Sequence, residues 1–95
     1  MKGDLLMSIE NWPNLVKETF EKVGYIPKKG DTAFLIQFCN DEPHYASGDR
    51  GVVEYIDDAG QIHVSWQGKG NLALLPGEDR FLIYPKGQMQ HFYSF

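Results

Sequence analysis

Two periodicities divide the chain. Up to Gly24 the strongly apolar residues Trp12, Leu15, Val16, Phe20 and Val23 recur near i, i+3/i+4, i+8 and i+11. That spacing lines one stripe of an α-helix, and Lys17, Glu18, Glu21 and Lys22 fall largely outside it. Asn11 can cap the start, Pro13 is tolerated in a first turn, and Gly24 suits the left-handed position that ends a helix. A helix this short is not stable alone, so its stripe must pack on the segment that follows or on a partner.

After Pro27-Lys28-Lys29-Gly30 the period changes to that of strands. Thr32 to Cys39 is rich in β-formers, with Phe34, Ile36 and Phe38 on one face and Leu35 on the other, which suits a strand covered by the helix. In Arg50 to Ile56, an outward Glu54 points Val53 and Tyr55 to the core, while the adjacent Ile56 leaves two registers open. Asp57-Asp58-Ala59-Gly60 reads as a tight turn, after which Ile62, Val64 and Trp66 alternate with Gln61, His63 and Ser65: a hairpin. Gln67 to Asn71 is a second turn. It leads to Leu72 to Leu75, a Pro76-Gly77-Glu78-Asp79 break, and Phe81 to Tyr84. Five short strands without an intervening helix predict a mainly β sandwich or small barrel, and at this length a barrel. The aromatic end, Gln90 to Phe95, fits a sixth strand returning along the barrel, or a docking tail. The expected organisation is a helical extension over 1–29 packed on a barrel over 30–95.

Composition narrows the function. Ninety-five residues, 42% hydrophobic and 23% charged, describe one globular domain with one core. The single cysteine, Cys39, excludes an internal disulfide framework and a multi-thiolate zinc site, and favours a reducing compartment. The apolar part of MKGDLLMSIENW is broken by Asp4 and Ser8, and no stretch approaches the roughly 20 apolar residues of a membrane span, so the expected location is cytoplasmic, with no membrane association. Net charge is -4, and between Asn40 and Gly60 six carboxylates stand against Arg50 alone. An acidic middle argues against phosphate binding there and favours a protein partner with a basic surface.

Candidate chemistry is sparse. Asp57 and Asp58 are turn formers whose side chains point apart in a tight hairpin, which does not suit paired acid–base work. His44, His63 and His91 with Cys39 show no metal-ligand spacing. Cys39 has no basic neighbour in sequence to lower its pKa, and Gly68-Lys69-Gly70 lacks the length and setting of a phosphate loop. No catalytic residue, metal or cofactor is therefore expected, and the chain reads as a non-enzymatic binding module.

From Gly30 to Phe81 the order of elements resembles a small bacterial and phage family of unknown function with an SH3-like barrel. The likeness rests on Asp41-Glu42-Pro43-His44-Tyr45, Gly48-Asp49-Arg50-Gly51-Val52-Val53, the hairpin to Trp66, and Leu72 to Phe81. After Trp66, where that family tends to place an acidic residue, this chain has Gln67-Gly68-Lys69. The resemblance implies the barrel and brings no catalytic residues. In such barrels the loop after the first strand borders the usual binding face, which makes Tyr45 the first candidate contact. The candidate partner-binding set is Asp41, Glu42, His44, Tyr45, Asp49, Asp57, Asp58 and Lys69. In a phage-borne modulator the carboxylates would imitate nucleic-acid phosphates on a basic host protein. The alternative is a nucleic-acid-binding barrel using Lys28, Lys29, Lys69 and Lys86. As an assembly, a monomer or a homodimer is expected.

Overall fold

The helical stripe is realised in α1 (Asn14–Val23) of the computed structural model, which describes residues 10–95. The N-cap position belongs to Pro13, which has no side-chain acceptor, so the cap expected from Asn11 does not form. At the other end Gly24 takes φ 79° and donates its N–H to the Phe20 carbonyl at 2.8 Å, closing the helix in the left-handed conformation. Trp12, Val16 and Phe20 are buried, Val23 is half-buried and Leu15 is exposed. The stripe is therefore narrower than its five apolar residues.

Six strands follow: β1 (Thr32–Gln37), β2 (Arg50–Ile56), β3 (Ile62–Trp66), β4 (Gly70–Leu74), β5 (Arg80–Tyr84) and β6 (Tyr93–Ser94). They form one antiparallel sheet in the order β4-β3-β2-β1-β5-β6. The described residues form a mainly β fold with α1 packed on it, but the sheet is open. Its end strands β4 and β6 do not pair, so the six expected strands are present and the expected small barrel is a barrel only loosely, with two edges.

One face of the sheet and α1 share a single core. Ala33 and Leu35 from β1, Val53 from β2, Ile62, Val64 and Trp66 from β3, Leu74 from β4, and Phe81 and Ile83 from β5 meet Trp12, Val16 and Phe20. On β1 the helix side thus takes Ala33 and Leu35, leaving Phe34 and Ile36 half-buried on the outer face. On β2 the register expected from alternation holds to Val53 and then shifts. A bulge at Glu54 pairs Tyr55 with the outward His63, leaving Tyr55 56% exposed and turning Ile56 to the core.

Two contacts join the helix to the sheet's extremities. At Gly60, φ 82°, an added Cβ would fall within 2.5 Å of Val16 Cγ1 and 2.9 Å of Trp12, so the β2–β3 turn fits under the helix only as glycine. At the opposite edge Phe95 stacks on Phe81, with ring centroids 4.8 Å apart, and presents its edge to Phe20 at 5.6 Å. The aromatic tail is therefore a returning strand on its own sheet.

Candidate functional site

The longest connection in the sheet, residues 38–49, leaves β1 and returns to β2. Hydrogen bonds tether it along its length. The Cys39 N–H donates to Asp79 Oδ1 at 2.7 Å, the Gly48 N–H to the Leu35 carbonyl at 2.8 Å, and the Tyr45 hydroxyl to the Lys69 carbonyl at 3.1 Å. Beneath it three rings converge: Phe38 and Tyr45 at 5.3 Å, Phe38 and Trp66 at 6.0 Å, Tyr45 and Trp66 at 5.9 Å, all edge-to-face. Tyr45 is half-buried, a lid on Trp66 more than a free platform.

Lys69, on the β3–β4 turn, reaches back to the same loop. Its ammonium lies 2.7 Å from Asp49 Oδ2 and 5.6 Å from the Tyr45 ring centroid. Asp49 also accepts from the Ala46 N–H at 2.9 Å. The hydrogen bond from Lys69 first, and then that N–H, hold the Asp49 carboxyl below its usual range. The structure thus unites Tyr45, Asp49 and Lys69. Around them Asp41, Pro43 and His44 are exposed and Glu42 is half-buried.

Asp57 and Asp58 sit elsewhere, on the β2–β3 turn. Asp57 accepts from the Ala59 and Gln61 N–H groups at 2.9 and 3.0 Å and lies 2.8 Å from His63 Nε2. Burial works to raise its carboxyl, but the His63 hydrogen bond and the two N–H donors together bring it below the ordinary value. Tyr55 stacks on His63 at 4.3 Å, so this corner is a self-satisfied cluster. Asp58 is exposed.

Two buried aspartates escaped the sequence reading. Asp79, 3% exposed, accepts from the Cys39 and Leu75 N–H groups, both at 2.7 Å, and joins the β4–β5 connection to the 38–49 loop. Asp31, 2% exposed, accepts from the Tyr25 hydroxyl at 2.6 Å and from the Lys28 and Lys86 N–H groups, both at 2.9 Å. Burial, with that hydrogen bond and the adjacent Asp31 charge, pushes the Tyr25 hydroxyl well above its usual range. The sequence signal was only an Asp inside a turn; its partners stand up to 55 residues away.

The remaining candidates are dispersed. A side-chain hydrogen bond to Asp79 pushes the exposed Cys39 thiol up, the opposite of what an attacking thiolate needs. Among the described residues no three His, Cys, Asp or Glu side chains gather as metal ligands, and no helix is long and apolar enough to cross a membrane. Lys28 and Lys86 flank Asp31 with Lys29 adjacent, all three exposed, whereas Lys69 is tied to Asp49.

A family signature matches residues 17–84: a domain of unknown function, DUF4314. The chain belongs to this family. The DUF4314 match takes in β1 to β5 and most of α1, including the 38–49 loop and its tethers, while Trp12 and β6 lie outside it. No curated protein and no solved structure gives a significant match.

Proposed function

We propose that this domain is a non-enzymatic binding module that engages a protein partner bearing a basic surface through the 38–49 loop and the adjoining β3–β4 turn. The observation that carries the reading is preorganisation. The loop is tethered at Cys39, Tyr45 and Gly48 while Asp41, Pro43 and His44 between the tethers remain exposed. A loop already held in shape loses little conformational freedom on binding. Asp49 and Asp57 are satisfied internally, so the carboxylates this loop offers a partner are Asp41 and Glu42, while the exposed Asp58 stands apart on the β2–β3 turn. In the sharper form of this reading they imitate phosphates on a basic host protein.

The test is capture from lysate by wild type and by Asp41→Lys/Glu42→Lys, with protein, RNA and DNA all quantified. Wild type should retain a protein that the double variant loses, and salt should weaken capture through the association rate. Retention of nucleic acid alone, abolished by changing Lys28, Lys29 and Lys86, would replace this reading with the nucleic-acid one.

A further inference from the structure

The outer face of the sheet carries apolar surface that nothing in the described residues covers. Of the six large hydrophobic side chains exposed above 40% among the described residues, Val52 (46%) and Tyr55 (56%) lie on this face, and Met89 (77%) and Phe92 (48%) border it. Phe92 packs on outward Tyr84 at 5.4 Å, and Met89 helps line a depression of about 210 Å³ with Thr32, Phe34, Arg50 and Tyr84. Patches of this kind on a small soluble domain mark interaction surfaces.

Charge on the face indicates what covers it. Strand pairing places Tyr84, Thr32, Val52 and Ser65 in one row across β5, β1, β2 and β3. Two residues from Val52 in one direction stands Arg50, its guanidinium 6.0 Å from the Phe34 ring centroid. Two residues in the other stands Glu54, in the bulge beside outward Tyr55. We infer that this face docks a second copy of the chain about a two-fold axis lying along that row. Such an axis, in the plane between facing sheets, reverses strand direction. It sets Val52 against its equivalent and each Arg50 against the other copy's Glu54 and Tyr55. Strands rise about 3.3 Å per residue and packed sheets stand about 10 Å apart, so both pairs fall within side-chain reach. An isologous contact is self-complementary in this way, and the opposite two-fold, parallel to the strands, would set Arg50 against Arg50. The 38–49 loop is not part of the contact, so the inference stands independently of the proposed function.

Sedimentation and light scattering on the full chain, from about 5 to 500 μM, read the outcome, since interfaces of this class reach micromolar affinity or better. Wild type should be a dimer at the upper end. Arg50→Glu and Glu54→Arg should each weaken it by about tenfold or more, and the double exchange should restore it, because the reversed pair faces itself again. Val52→Asp, which sets like charges on the axis, should give a monomer. Circular dichroism verifies that each variant is folded. A wild type monomeric throughout, folded variants that dimerise unchanged, or a double exchange that fails to restore association would each overturn the inference.

Discussion

A carboxylate leaves water at small cost only where donors replace its hydration, and Asp79 meets two backbone N–H groups at 2.7 Å. Asp79→Ala should lower folding stability by about 2–4 kcal/mol, measured by urea unfolding, because both N–H groups lose a charged acceptor. Tyr45 separates ring from hydroxyl. Tyr45→Phe loses the bond to the Lys69 carbonyl and should cost about 1 kcal/mol, whereas Tyr45→Ala also removes the lid from Trp66 and should cost at least about 2 kcal/mol in thermal melting. Asp57 contributes to pH dependence. Its carboxyl titrates lower folded than unfolded, so its stabilisation is present above about pH 4 and is lost as pH falls through the folded value. Melting temperatures from neutral to acid pH should fall less steeply for Asp57→Asn than for wild type. At this scale the sequence was least legible. It marked Asp57 as a turn former, but Asp31 and Asp79 each join near donors, from Tyr25, Lys28 and Leu75, to one far along the chain, from Lys86 or Cys39, and that distant partner leaves no local pattern.

Elements were more legible than their facing. The hairpin through Asp57 to Gly60 was readable because its turn chemistry and the alternation of Ile62, Val64 and Trp66 agree, and the structure keeps those three inward. The outward turn of Tyr55 was not readable, since a bulge adds one residue without a composition signal. The loop after the first strand was legible as the place of Tyr45; its tethers were not. Gly60→Ala tests the hairpin's seat beneath α1. The added methyl meets Val16 and Trp12 from a left-handed backbone, so a loss of about 2 kcal/mol or more is expected by calorimetry. The tail is the other seat. Ending the chain after Gly87 removes β6 and Phe95 from against Phe81 and Phe20, and should lower stability by about 3 kcal/mol. Unchanged melting would mean that this strand adds nothing to the fold.

Across the whole molecule, charge is partitioned. The acidic middle of the chain splits between a loop with its own lysine and a turn with its own histidine, so the count of carboxylates exceeds the number offered to solvent. The sheet order has a further consequence. β1 and β2 are the two central strands; β1 hydrogen-bonds to β2 on one side and β5 on the other, Ala33 and Leu35 are buried beneath it, and the remaining four strands lie nearer an edge or at one. Opening β1 to solvent therefore requires the sheet to come apart on both sides, while β4 and the two-residue β6 can release from one neighbour each. Native-state amide exchange should show this as a gradient. Bonded amides of β1 should exchange only with global unfolding, whereas those of β4 and β6 open in local fluctuations, as peptide-resolved deuterium uptake would record.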